Sequence, residues 1–228
     1  GTKRAVTRFA AAGSRVAPHL SFGGSNEEEI LALLKDYQAA GIDRLVCLRG
    51  DAPSGMGSAS LYRYANELVE FVREHTGDHF TIDVACYPEV HPQSRSVESD
   101  IEYFKAKVDA GANAAITQYF YNADAYFGFV DDCTRAGINV PIVPGIMPIT
   151  NYGNLARFSA ACGAEIPRWL TKRLEFLEQD DAELRDFGIE VVTDLCEQLL
   201  AGGAPGLHFY SMNQADSVTR LWNNLSED

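Results

Sequence analysis

The 228-residue sequence has no CxxC pair and no His/Cys spacing of the kind that holds a metal, so no metal site is expected. It has no apolar run approaching the length of a membrane span. Its opening residues, Gly1 to Val6, lack the hydrophobic stretch of a secretion signal. Basic residues are scarce: 19 Lys and Arg stand against 32 Asp and Glu, a net charge of −13. That balance argues against a nucleic-acid or anionic-membrane surface, which needs clustered positive charge. It still leaves room for an anionic cofactor, since a few basic groups can be concentrated locally. The five cysteines are odd in number and widely spaced, and most sit in apolar runs. They read as reduced core thiols, which implies a cytoplasmic protein. No repeat, linker or low-complexity tract divides the chain, so residues 1–228 are expected to form one domain.

Short apolar runs alternate with amphipathic helical patterns, the signature of βα units and a parallel sheet. Six parallel strands are expected side by side, near 15–22, 44–49, 81–87, 114–120, 141–145 and 206–211. A helix follows the first strand, with Ser25 and Glu28 spaced as a capping box and Gly41 at its end. A glycine-rich loop from Gly50 to Gly57 precedes a helix carrying Leu61, Ala65, Leu68 and Val72. Further helices start at Ser96, follow the fourth and fifth strands, fill an acidic stretch around 165–200 and close the chain. Six units do not complete an eight-stranded barrel. Residues 3–13 read as a helix with no strand before it. The chain is therefore expected to be an α/β domain that lacks an N-terminal part of its fold.

The strands share a design: each apolar run ends in polar groups. Ile82-Asp83-Val84-Ala85 runs into Tyr87-Pro88-Glu89-Val90-His91-Pro92, and Leu45-Val46-Cys47-Leu48 into Arg49-Gly50-Asp51. Ala114 to Thr117 leads to Gln118, and Leu207 to Tyr210 leads to Ser211-Met212-Asn213-Gln214. In parallel α/β folds the chemistry sits just beyond the carboxyl ends of the strands. His19, Asp51, Tyr87, His91 and Gln118 are expected to face one concave site there.

Taken in order, LRGD at 48–51, YPEVHP at 87–92, KVDAGAN at 107–113, ITQYF at 116–120, PIVPGIMPITNY at 141–152 and HFYSMN at 208–213 carry a resemblance. The chain resembles the flavin-dependent 5,10-methylenetetrahydrofolate reductases over nearly its whole length, from about Ala17 onward. The resemblance implies a (β/α)8 TIM barrel, here lacking its first one or two strands, with FAD at the strand C-termini. It implies NADH or NADPH as electron donor, ping-pong hydride transfer to 5,10-methylenetetrahydrofolate, and assembly as a homo-oligomer. It matches His19, Arg49, Gly50, Asp51, Tyr64, Ala65, Tyr87, His91, Ser94, Asp100 and Lys107 to flavin-contacting positions. Asp51 also matches the carboxylate that contacts the pterin, and Gln118 the glutamine shared by folate and nicotinamide. These two are the catalytic candidates. Asn154 and Phe158 fall in the substrate-binding segment. The catalytic glutamate of the family lies on a strand that this sequence does not contain. Gln214 stands where the family has an arginine after the last strand, and Ala106 where it has a basic residue.

Each of these residues also has a plainer reading. Arg49-Gly50-Asp51 alone is a surface turn, and Tyr87 and His91 alone are packed residues. Their placement between two prolines at a strand end favours contact with a ligand. Asp100 and Lys107, two helical turns apart, read either as a solvated stripe or as groups aimed at a cofactor. Gln118 ends an apolar strand, where an unpartnered buried amide is unfavourable, which favours a site role. Phe158 by spacing alone belongs to the core, and His208 reads as a satisfied core histidine. At least one of Tyr119 and Tyr121 is packing, and Glu175 to Glu183 is a solvated face. Two other classes stay open: a non-catalytic barrel that binds a ligand or partner, and another barrel flavoenzyme such as a proline dehydrogenase-like oxidase.

Overall fold

The computed structural model describes residues 2–23, 25–49 and 64–226. Gly50, Asp51, the rest of the glycine-rich loop and Leu61 lie outside the described residues. The chain groups into two compact units. One is Gly1–Ala85 with Glu102–Ala115; the other is Cys86–Ile101 with Ile116–Asp228. The fold is α/β, with a five-stranded parallel sheet of order β1-β2-β3-β4-β5 and a two-stranded parallel sheet of β6 and β7. The strands are β1 (His19–Leu20), β2 (Arg44–Cys47), β3 (Thr81–Cys86), β4 (Ala114–Thr117), β5 (Ile142–Val143), β6 (Gly145–Ile146) and β7 (His208–Phe209).

In the first unit, the expected N-terminal helix is present as α1 (Thr2–Ala11). Of the apolar stripe that spacing predicts for helix α2 (Glu27–Ala39), Ile30, Leu34 and Tyr37 are buried and Leu33 is half-buried. Its capping box is displaced by one residue from the expected Ser25/Glu28 pair. Asn26 Oδ1 accepts from the Glu29 amide while the Glu29 carboxylate accepts from the Asn26 amide. Asn26 is as good an N-cap as serine, and its frame places the apolar stripe inward. Helix α3 (Ala65–Thr76) buries Leu68, Val69, Phe71 and Val72. From its last turn Arg73 donates to the carbonyls of Gly77, Phe80 and Gly111 and to Asn113 Oδ1. One planar guanidinium thus gathers the end of α3, the entry to β3 and the turn before β4.

In the second unit, the first turn of α4 (Val97–Asp109) follows Ser96. The Ser96 and Ser99 hydroxyls accept reciprocally from each other's amides. Helices α5 (Ala123–Arg135), α6 (Tyr152–Cys162), α7 (Arg168–Leu177), α8 (Asp181–Ala201) and α9 (Ala215–Ser226) follow. The acidic stretch forms α7 and α8, and α8 packs against α5, α7 and α9. Apolar residues of α8, among them Leu184, Val192, Cys196 and Leu199, are buried, while its acidic residues face outward.

One strand expectation is corrected. The run at 141–145 is two strands, not one, and the chain changes sheets at Pro144. Proline has no amide hydrogen to continue a ladder. Its carbonyl still accepts from His208, and Ile146 O accepts from Tyr210, so the chain beyond Pro144 pairs with β7 instead. The strand at 206–211 therefore lies in the second sheet and not beside the other five.

Parallel strands β2 and β3 carry an ion pair in the first unit. Arg44 Nε and Nη2 donate to the two Asp83 carboxylate oxygens at 2.7 and 2.9 Å. Asp83 is 3% exposed, whereas the guanidinium is partly in water. Breaking a fully buried pair costs roughly 3–5 kcal/mol, because one charge is left without a partner. With one partner partly solvated, Arg44→Met should cost about 2 kcal/mol, read as a lower urea midpoint at unchanged slope. An unchanged midpoint would show that Asp83 is satisfied some other way.

Candidate active site

The site residues are taken unit by unit. In the first, His19 opens β1 and is exposed, yet its ring is desolvated enough to lower its pKa. Arg49 lies exposed two residues beyond β2. Tyr64 caps α3, its amide donating to the Glu67 carboxylate, and its ring stacks on Tyr103 at 5.7 Å and 15°. Ala65 is the first residue of that helix. Lys107 is not a solvated stripe residue: its Nζ turns back to donate to the Ala85 carbonyl near the end of β3.

In the second unit, the loop after β3 is a built structure. Tyr87 and His91 meet edge to face, centroids 4.5 Å apart at 87°. His91 Nδ1 accepts from the Gln93 amide, which leaves the proton of the neutral ring on Nε2. Asp100 faces this loop from α4. One carboxylate oxygen accepts from the His91 amide at 3.1 Å, the other from Ser94 Oγ at 2.7 Å. Just before them Val90 sits at φ +69°, a left-handed conformation that is rare for a β-branched residue. Asp100 holds the segment from His91 to Ser94 that follows this strained point.

Gln118 follows β4, half-buried. Its Oε1 accepts from the Tyr119 amide, and its NH₂ has no hydrogen-bond partner among the described residues. Tyr119 and Tyr121 are both buried. The Tyr119 hydroxyl bonds to Ser159 Oγ, and the Tyr121 hydroxyl donates to the Met147 carbonyl. Burial pushes both phenol pKa values well up, so both stay neutral hydrogen-bonding groups. Asn154 and Phe158 are on α6. Phe158 is 43% exposed and so is not a core residue; Arg157 lies over its ring at 5.9 Å and also donates to Asn154. His208 is half-buried against the Tyr210 ring.

Two features had escaped the sequence reading. Thr117 Oγ1 accepts from the Gly145 amide, and the Tyr210 hydroxyl donates to the Thr117 carbonyl. A Cβ at Gly145 would stand 2.2 Å from that carbonyl oxygen, so no larger residue fits. The glycine of the PGIMP motif was the available signal. The second is Glu89, whose Oε2 accepts from the Glu165 amide at 2.7 Å. Burial raises the Glu89 pKa, reinforced by the neighbouring Glu165 charge and partly offset by that amide. Nothing in the sequence announced the pairing, which spans 76 positions.

Parallel strands alternating with helices, and polar side chains gathered on the segments after the strands, define an α/β protein of the TIM-barrel-like class. Solved structures share the fold. An uncharacterized protein from Clostridium thermocellum that binds two copies of 5-methyl-5,6,7,8-tetrahydrofolic acid superimposes with TM-score 0.50 at 17% identity, over 96% of this chain and 97% of that one. Oxaloacetate acetylhydrolase in complex with oxalate gives TM-score 0.55 at 12% identity, over 98% of this chain and 64% of that one. The methylenetetrahydrofolate reductase family matches residues 5–226. The chain is 40% identical over 214 residues to 5,10-methylenetetrahydrofolate reductase of Escherichia coli (strain K12), covering 93% of this chain and 71% of that protein. It is 38% identical over 213 residues to the reductase of the same name from Pectobacterium carotovorum, covering 93% and 70%. The chain belongs to the methylenetetrahydrofolate reductase family.

The raised Glu89 pKa has a definite consequence for stability. The folded state takes up this proton at a higher pH than the unfolded chain. The associated stability is fully present below the unfolded pKa of about 4.3 and is lost as pH rises through the folded value. At neutral pH the carboxylate therefore works against folding. Glu89→Gln should unfold at a higher temperature than the parent at neutral pH, and the gap should close as pH falls toward about 4.3. A gap that does not change with pH, or one of opposite sign, would contradict this.

Proposed function

We propose that the protein reduces 5,10-methylenetetrahydrofolate to 5-methyltetrahydrofolate, with NADH or NADPH as electron donor and FAD as carrier between them. The observation that carries the reading is the family match over residues 5–226, together with relatives of that name that are 38–40% identical over 93% of the chain. The reaction is a hydride transfer with uptake of one proton: the nicotinamide gives up a hydride, the methylene carbon of the folate gains it, and N10 takes a proton from solvent as its bond to that carbon opens. Bound FAD supplies the chemistry that lets donor and acceptor use one site in turn.

The described residues fit such a group. A ring system bearing nitrogens and carbonyls needs donors at its edge, and the Gln118 amide N–H groups are such donors, fixed by the bond that Oε1 makes with the Tyr119 amide. Tyr87 and His91 offer aromatic rings on a loop that Asp100 and Ser94 hold in shape. In this reading Asp100 acts mainly by ordering that loop. Arg49 and Lys107 supply positive charge for a diphosphate. Gly50 and Asp51, outside the described residues, remain assigned to the flavin, with Asp51 also accepting N–H groups of the pterin. Asn154 and the exposed Phe158 ring take the folate, Phe158 by stacking.

The test is anaerobic mixing of the flavin-loaded enzyme with NADH or NADPH, followed by methylenetetrahydrofolate. The flavin absorbance should bleach in the first step and return in the second. A protein that bleaches but does not recover with the folate would overturn the substrate assignment. One that binds no flavin at all would overturn the cofactor. Removing a positioned donor from a reacting centre typically costs on the order of 10²-fold in rate. Gln118→Ala should slow flavin reoxidation by the folate by about that factor. A rate unchanged from the parent would remove Gln118 from the site.

A further inference from the structure

Helix α6 carries the two residues assigned to the folate, and its far end meets the flavin-side loop in two ways. The Glu89 carboxylate accepts the Glu165 amide at 2.7 Å, in the link between α6 and α7. Gly163 caps α6 in the left-handed conformation, at φ +77°. A Cβ there would lie 2.8 Å from Pro92 Cγ and 3.6 Å from the Val90 carbonyl. The loop can therefore lie against the helix end only because residue 163 has no side chain. Between Glu89 and Pro92, Val90 is held at φ +69°, a conformation with little to recommend it unless the contacts on either side impose it. Midway along α6, Ser159 Oγ bonds to the hydroxyl of Tyr119, whose amide fixes Gln118.

We infer that Glu89, Val90 and Gly163 form a clamp that sets the position of α6, and with it Asn154 and Phe158, relative to the loop bearing Tyr87 and His91. Glu89 is a positioning residue in this arrangement: its partner is a backbone amide, and it acts on the folate through α6. The assignment rests on the proposed folate-reducing function and adds a residue to it. A carboxylate that burial makes unfavourable, placed beside the Glu165 charge, is a poor choice for stability alone. As a strong acceptor for a single amide it is a good choice for fixing one geometry. The groups that face it are the Glu165 amide and carboxylate and, more distantly, the neutral Tyr119 phenol.

The experiment compares Glu89→Ala, Glu89→Gln and Gly163→Ala in the flavin-loaded enzyme, with three readouts: flavin occupancy, kcat and the folate KM. Glutamine keeps an oxygen acceptor for the Glu165 amide and alanine does not. Glu89→Ala should raise the folate KM about tenfold, one lost charge-assisted hydrogen bond, with kcat within about twofold and flavin occupancy unchanged. Glu89→Gln should return KM to within about twofold of the parent, and Gly163→Ala should reproduce the alanine phenotype. Should Glu89→Ala not accumulate as folded protein, Glu89→Asp, one methylene short of the amide, takes its place with the same expectation. A folate KM unmoved by both disruptive variants, a KM rise without rescue by glutamine, or flavin lost in step with it would overturn the clamp. A parent enzyme that fails to reduce the folate would instead overturn the underlying function.

Discussion

The close approach of Thr117 to Gly145 fixes where the functional part of the second unit begins. Both oxygens of Thr117 are engaged, Oγ1 by the Gly145 amide and the carbonyl by the Tyr210 hydroxyl. Since a Cβ at 145 would fall 2.2 Å from that carbonyl, the geometry tolerates no side chain. Gln118 is the next residue in the chain, so its amide leaves a backbone whose position is set on both sides. Tyr119 and Tyr121 extend the arrangement to Ser159 and Met147. Each bond is modest, worth about 1 kcal/mol net. Together they make the strand end a rigid base for groups that must meet a planar ligand at a set distance.

Much of this was legible in the sequence because the signals are local. Apolar runs bounded by polar residues marked the strands, and the stripes at Ile30, Leu34 and Tyr37 and at Leu68 and Val72 marked helix faces. What was not legible depends on partners far apart in the chain. The change of sheet at Pro144 requires knowing that His208 arrives to use the proline carbonyl. The Asn26 cap competes with an equally plausible frame one residue earlier, and only burial of the stripe decides between them. Asp100 read as either a solvated group or a cofactor ligand, and its bonds to His91 and Ser94 were not announced by either reading. Phe158 looked like core and is exposed, because helical spacing says which residues share a face but not whether that face is covered.

The second unit also shows how a protein tolerates unfavourable local states where they organise a site. Val90 occupies a conformation that suits glycine, and Glu89 carries a charge in partly dry surroundings. Neither helps the chain fold. The neighbouring elements supply the compensation: Asp100 closes the loop, Pro88 and Pro92 restrict its freedom, and α7 and α8 bury large apolar side chains nearby in sequence to the Glu165 link.

The cysteines give this arrangement a practical handle. Burial pushes the thiols of Cys47, Cys133 and Cys196 up to about 12, and Cys86 is fully covered, so these four are poor nucleophiles. Cys162 is partly exposed, lies one residue before the glycine that meets Pro92, and points its sulfur at the Ser159 carbonyl. A thiol reagent of moderate size should therefore label the native chain at a single place, the C-terminal end of α6. The rate of that labelling is an intrinsic gauge of how tightly the helix end is held, and it requires no engineered cysteine.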